Sequence, residues 1–94
     1  MATETGFSIS KLPTYSTEEI LKQQETFRAR ASRLQSLSSA YNGKVSEALN
    51  ENVAPIQQLA NSRHWSNLRD VATEMAADAT KKATACQVEL DFRG

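Results

Sequence analysis

At 94 residues the chain forms one domain at most, and the core of so short a chain stays small unless a partner adds surface to it. Eleven basic and eleven acidic residues give a formal net charge of zero, which argues against nucleic acid, an anionic membrane or an acidic substrate as the partner. The one cysteine, Cys86, has no second thiol with which to form an internal disulfide, and this favours a reducing compartment without excluding export.

Residues 1–15 are predicted to form a flexible N-terminal arm. They contain few periodic apolar positions, although Phe7, Ile9 and Leu12 could still dock locally. A basic segment followed by an apolar run is absent, and no apolar stretch approaches the roughly 20 residues that cross a bilayer. We therefore expect a cytoplasmic protein with no membrane span or, alternatively, one that is exported without a conventional signal peptide.

The first helix is predicted over residues 17–51, after a capping box formed by Ser16 and Glu19. Apolar and small residues recur here at steps of three, four and seven, which is typical of one face of an amphipathic helix. The dipeptide Asn42-Gly43 often forms a turn, but the apolar positions beyond it keep the same phase, so we expect the helix to continue through it. This face consists of Ile20, Gln24, Phe27, Ala31, Leu34, Ser38, Tyr41, Val45 and Ala48, with Leu37 and Leu49 beside it.

A connection is predicted over residues 52–63. Pro55 disfavours helical geometry in the residue before it, so a helix boundary is expected there. Ile56 and Leu59 lie out of phase with the apolar positions that follow. We therefore expect a short helix or kinked extension that begins at Pro55 and a break at Asn61-Ser62.

The second helix is predicted over residues 64–91. Its apolar and small residues again share one face, at spacings of three, four and seven. That face consists of Trp65, Leu68, Ala72, Met75, Ala79, Ala83, Cys86 and Leu90.

Two long helices with a short connection predict an all-α protein, in which residues 16–94 form one long antiparallel helical hairpin of coiled-coil type. The apolar stripes are wider than a two-stranded seam requires, so we expect a protein partner, in a homo-oligomer or a hetero-oligomer, to cover part of them. The residues expected to bind that partner are Phe27, Leu34, Leu37, Tyr41, Val45, Leu49, Trp65, Leu68 and Met75.

Charged rows along the two helices are also consistent with a hairpin, although two helices from different molecules would explain them equally well. Exposed pairs of this kind influence the choice and orientation of a partner more than stability, because each contributes only about 0 to 1 kcal/mol. The predicted opposite rows are Arg28, Arg30 and Arg33 against Asp78, Glu74 and Asp70.

Candidate groups for catalysis or metal binding are few. The acids at positions 70, 74 and 78 are spaced one turn apart, but helical rows of acids are usually solvated, and Lys81 and Lys82 follow as ordinary surface partners. His64 is the only histidine, so this chain alone does not supply the nitrogen and sulfur ligands of a usual zinc site. Cys86 lies 22 residues from His64 on one predicted helix, too far for a catalytic pair. We expect no enzyme activity, no metal and no cofactor.

The stretch from Tyr41 to Leu49 resembles the central signature of the Trp-x-Gly family of small helical-hairpin proteins of type VII secretion. Tyr41 stands where that family has its tryptophan, Gly43 matches the glycine, Ala48 matches a small position and Leu49 matches the following large one. Leu37 and the chain length are also similar. The resemblance implies a helical hairpin that is exported and works as one member of a pair.

Two classes of function follow from these patterns. One is a non-catalytic helical subunit, an adaptor, chaperone or structural component, that buries its apolar seam against a helical partner. The alternative is a small hairpin substrate that a type VII-like system exports as a pair. A turn at residues 42–44 would favour the exported class, whereas a helix that continues to a turn within residues 51–63 would favour the first.

Overall fold

A computed structural model of the protein describes residues 7–94. These residues form a 3-10 helix, Ile9–Thr14, and two long α-helices, α1 (Thr17–Leu49) and α2 (Pro55–Arg93), and they include no strand. The two long helices pack against each other as a hairpin. The prediction of an all-α helical hairpin is confirmed.

Helix α1 begins at the predicted capping box. The Ser16 backbone N–H donates to Glu19 Oε1 over 3.0 Å, and the Glu19 backbone N–H donates to Ser16 Oγ over 3.1 Å. Both bonds satisfy donors that the first turn of a helix leaves without intrahelical partners. Hydrogen bonds to the Glu19 carboxylate lower the pKa of this group because they favour its charged form; the Ser16 backbone N–H makes the larger contribution and the Ser16 side chain the smaller one.

Helix α1 continues through Asn42 and Gly43 without a turn and ends at Leu49. A Cβ atom added to Gly43 would meet nothing within 4 Å, so the packing of the chain does not require a glycine at this position. The uninterrupted helix agrees with the phase of the apolar residues on both sides of the dipeptide.

The connection is shorter than predicted, because α2 already begins at Pro55. Proline is well tolerated in the first turn of a helix, where its missing N–H would have no intrahelical acceptor. The predicted break at Asn61-Ser62 is wrong: the helix runs through both residues, and the Ser62 hydroxyl donates to the Leu59 carbonyl over 3.1 Å. Ile56 and Leu59 do leave the packed face, as their phase indicated, but they are exposed on a continuous helix.

Contacts divide the chain into two compact units. The described part of unit 1 consists of residues 7–31 and 77–94, and unit 2 consists of Ser32–Ala76. Each unit therefore contains one part of α1 and one part of α2.

The core of unit 1 contains large side chains from both helices. Ile20 and Phe27 of α1 and Cys86 of α2 are completely buried. Burial raises the pKa of the Cys86 thiol, which keeps it protonated and poorly nucleophilic at neutral pH. Gln24 is also buried, and its Nε2 donates to Gln87 Oε1 over 2.7 Å, so its amide is not left without a partner.

Residues 7–15 belong to the core of unit 1, where the sequence predicted a flexible arm. Leu12, on the 3-10 helix, is buried in the same cluster as Phe27, and the ring of Phe7 meets that of Phe27 edge to face at a centroid distance of 4.8 Å. The Ser8 backbone N–H donates to the Tyr15 hydroxyl over 3.1 Å. The docking of Phe7 and Leu12 agrees with the sequence analysis, but single apolar residues and not a periodic face make this contact, so periodicity alone predicted an arm. Residues 1–6 of the predicted arm lie outside the described residues.

The side chain of Arg93 holds residues 7–15 at the end of α2. Its Nη2 donates to the carbonyl oxygens of Leu12 and Tyr15 over 3.1 and 2.6 Å, and its Nη1 donates to Thr17 Oγ1 over 3.1 Å. Its Nε lies 3.0 Å from a carboxylate oxygen of Glu89. One guanidinium therefore satisfies two main-chain acceptors of the 3-10 segment and pairs with a carboxylate of its own helix.

Unit 2 has a core of small side chains. Ala48 of α1 and Ala72 and Ala76 of α2 are buried, and small residues at such positions let two helix backbones approach closely. Its largest rings, Tyr41 and Trp65, are only half-buried and lie 5.8 Å apart between centroids.

Candidate protein-interaction surface

One side of the helix pair in unit 2 is polar and internally hydrogen-bonded. The hydroxyls of Ser38 and Thr73 lie 2.8 Å apart, so α1 and α2 are joined by a direct bond at this level. Arg69 donates through Nη1 to Asn42 Oδ1 and through Nη2 to Ser66 Oγ, each over 3.0 Å. These groups satisfy one another and leave little demand for a ligand.

The opposite side of unit 2 is apolar. On α1, positions 34, 37 and 41 follow one another at three and four residues and so share one face; on α2, positions 68, 71 and 75 do the same. Because the two helices are antiparallel, the face of α1 and the face of α2 that are directed away from the polar contacts lie on the same side of the pair. We call this surface the apolar flank; it consists of Leu34, Leu37, Tyr41, Leu68, Val71 and Met75.

Three residues of the apolar flank are strongly exposed. Leu37 is 41% exposed, Val71 is 53% exposed and Met75 is 52% exposed, while the other three are half-buried. Scattered single apolar residues on a surface are ordinary, whereas a contiguous group on one face is typical of an interaction site.

The nine residues predicted to bind a partner divide into three groups. Phe27 lies in the core of unit 1 and presents no surface to a partner. Leu34, Tyr41, Val45, Trp65 and Leu68 are half-buried in unit 2. Leu37, Leu49 and Met75 are exposed.

Met75 was also expected in the seam of α2, and there Ala76 takes the buried position instead. The next residue of the packed face after Ala72 is four positions further on, at Ala76, and not three positions further on, at Met75. The close approach of the two helices favours alanine there because its side chain is smaller. The residue of the apolar flank that the sequence analysis missed is Val71, although its spacing from Leu68 and Met75 was a usable signal.

The apolar flank continues into an open cleft of about 580 Å³ near the end of α1. Lys44 lies seven residues beyond Leu37 in the same column of α1, and it lines this cleft with Glu47, Glu51 and Trp65. Trp65 also meets the imidazole of the adjacent His64 edge to face, at a centroid distance of 5.1 Å. The cleft therefore combines an aromatic wall with two carboxylates.

The candidate groups for chemistry do not come together. Asp70 pairs with its neighbour Arg69 at 3.1 Å. Asp78 pairs with Lys82 at 2.9 Å, and this second pair is the one that the sequence spacing predicted. Within residues 7–94, no three His, Cys, Asp or Glu side chains are grouped as metal ligands would be. His64 is exposed in unit 2, whereas Cys86 is enclosed in unit 1.

The predicted opposition of arginines and acids is not observed at the three of these positions whose contacts are described, Arg28, Asp70 and Asp78. Arg28 donates through Nη2 to Gln87 Oε1 over 3.2 Å, and Asp70 contacts Arg69 beside it in sequence. Partners on α2 itself contact Asp70 and Asp78. The bonds from Ser38 to Thr73 and from Arg69 to Asn42 show that the two helices are offset from the predicted register. No helix in the described part of the chain is both long and apolar enough to cross a bilayer.

Comparison of the chain with models of known protein families, with curated proteins and with solved structures finds no match. The resemblance of residues 41–49 to the Trp-x-Gly family therefore stays a prediction from sequence.

Proposed function

We propose that the protein is a non-catalytic helical interaction subunit, an adaptor, chaperone or structural component, that binds one helix of a partner protein along the apolar flank. The observation that carries this proposal is the exposure of Leu37, Val71 and Met75, which helical spacing assigns to the same side of unit 2. An amphipathic helix that lies along two other helices recognises such a face through residues spaced by three, four and seven.

The energetics favour a modest, reversible contact. Complete burial of a large aliphatic side chain contributes about 1.5 to 3 kcal/mol, so covering three half-exposed ones contributes about 1 kcal/mol each. The half-buried residues beside them add to this sum, while ordering two partners opposes it. The opposite side of the seam has its polar groups already bonded, which directs a partner to the apolar flank.

The continuous helix through residues 42–44 favours this class over the exported hairpin. A substrate of the type VII kind was expected to turn at the Tyr41-x-Gly43 dipeptide, whereas α1 ends only at Leu49. The exported pair remains the second candidate on the strength of the sequence resemblance.

The test is affinity capture of the tagged protein from the cells that produce it, separately from lysate and from culture medium. The Leu37→Gln/Met75→Gln variant is compared with a matched control, Leu21→Gln/Val88→Gln, which changes two exposed apolar residues of unit 1. We expect a stoichiometric partner that the control retains and the first variant loses. A partner retained equally by both variants would place the binding surface elsewhere, and a pair recovered from the medium would favour export.

A further inference from the structure

We infer that the partner helix carries an arginine or lysine at the end that lies over Trp65, and that this cation enters the cleft between Glu47 and Glu51. The inference rests on the proposed function and names the chemistry of the partner. The apolar flank supplies the contact along the helix, and the cleft fixes where that helix ends.

The position of the cleft supports this assignment. Tyr41 belongs to the apolar flank, and its ring lies 5.8 Å from that of Trp65, which lines the cleft. Lys44 extends the column of Leu37 into the same space. A helix that follows the flank towards the end of α1 therefore reaches the cleft without changing direction.

The chemistry of the cleft suits a cation. Within residues 7–94 the Glu47 carboxylate pairs with Lys44 alone, at 3.8 Å, and both side chains are largely exposed. Glu51 accepts one bond at Oε1 from Asn61 Nδ2 over 3.0 Å, and a carboxylate accepts several more. Trp65 also lines the cleft, and an indole ring is a good partner for the cation–π contact of a planar guanidinium.

The dimensions set the length of the partner. Leu34 and Glu47 are 13 residues apart on one helix, which corresponds to about 20 Å at 1.5 Å per residue. A partner helix of about 14 residues, or four turns, covers this distance. Its apolar stripe faces α1 and α2 over about three turns, and the last turn carries the cation.

Trp65 is the only tryptophan in the chain, so its fluorescence reports directly on the cleft. The probes are two synthetic 16-residue amphipathic helical peptides with the same leucine stripe. One has two arginines in its last turn; the other has two citrullines there, which keep the shape and remove the charge. We expect the arginine peptide to bind about threefold to tenfold more tightly.

A double-mutant comparison separates the charge contact from differences in peptide helicity. In the Glu47→Gln/Glu51→Gln variant the preference for the arginine peptide should fall to about onefold, and in Glu47→Gln alone it should be intermediate. The control Glu25→Gln changes an exposed acid of unit 1 and should keep the full preference.

Each other outcome decides between the two proposals. Equal binding of both peptides, lost in Leu37→Gln/Met75→Gln, would overturn the cation in the cleft and leave the apolar flank as the binding surface. Failure of both peptides to bind would overturn both proposals. A Trp65 signal that changes with protein concentration alone, with a dimer in sedimentation, would make a second copy of this chain the occupant and overturn the separate helix.

Discussion

Units 1 and 2 are built from the same two helices but differ in how their apolar surface is covered. Unit 1 encloses large side chains, Ile20 and Phe27, and closes over them with Leu12 from a third segment. Unit 2 has alanines in its core and leaves Leu37 and Met75 exposed. Two helices bury only the stripes that face each other, so full coverage of a wide stripe needs a third layer. Unit 1 contains that layer in its own chain, and we propose that unit 2 receives it from a partner.

The largest expected effect is on the core of unit 1. Replacing Phe27 with alanine should lower the free energy of unfolding by about 3 to 5 kcal/mol, because a fully buried ring leaves a cavity. The same change at Phe92, which is 85% exposed, is the matched control and should cost less than about 0.5 kcal/mol. Urea-induced unfolding followed by circular dichroism measures both.

Leu37→Ala extends this measurement to unit 2. Because Leu37 is exposed, this substitution should lower the free energy of unfolding of the isolated protein by less than about 1 kcal/mol. A loss as large as that of Phe27→Ala would mean that the apolar flank is covered in solution, and the contrast between the units would then disappear.

The second prediction concerns the bonds that hold residues 7–15. Arg93→Gln should cost about 1 to 3 kcal/mol, since it weakens bonds to the carbonyls of Leu12 and Tyr15. Hydrogen exchange should accelerate at the Lys11 and Tyr15 amides, which donate within the 3-10 segment. Arg63→Gln, at an exposed position of unit 2, should leave both amides unchanged. Unchanged exchange in Arg93→Gln would show that the apolar contacts alone hold this segment.

The third prediction concerns unit 2. Gly43→Ala should raise the free energy of unfolding by about 0.5 to 1 kcal/mol, because alanine favours the helix and its Cβ meets no atom. Ala40→Gly, a turn earlier on the exposed face of α1, should lower it by a similar amount. Destabilisation by Gly43→Ala in thermal unfolding would indicate a turn at this position and would favour the exported class.

The smallest effect is a pH dependence at the start of α1. The pKa of Glu19 is lowered in the folded protein, so its contribution to stability is present above the pKa of the unfolded chain. It is lost as the pH falls through the lower, folded value. Thermal unfolding of Glu19→Gln and of the unmodified protein should therefore differ at about pH 7 and converge as the pH falls below the folded pKa of Glu19. A difference that persists in acid would mean that charge is not its cause. Glu25→Gln is the control.

The coarse fold was predictable because both helices keep a strict spacing of three and four. The polar residues Gln58 and Ser62 continue the packed face of α2 at the beginning of this helix. A search for apolar residues alone therefore placed the start of the helix too late and inferred a break. The contact of residues 7–15 was not predictable from periodicity, because a 3-10 segment buries isolated side chains. Five of the six residues of the apolar flank were among the predicted interaction residues, but the choice of Ala76 over Met75 in the core depends on helix separation, which the sequence does not state.

The bonds of Arg93 also have a consequence for biosynthesis. They join residues up to 81 positions apart, whereas the bonds across unit 2 join residues 35 and 27 positions apart. All of unit 2 has been made when Ala76 is added, and Arg93 follows 17 residues later, which takes about 1 to 3 s at 5–20 residues per second. During this interval the Leu12 carbonyl lacks its donor, Arg93. The bonds that hold residues 7–15 therefore need the last residues of α2, and a chain that stops before Arg93 lacks them although it contains every residue of unit 2.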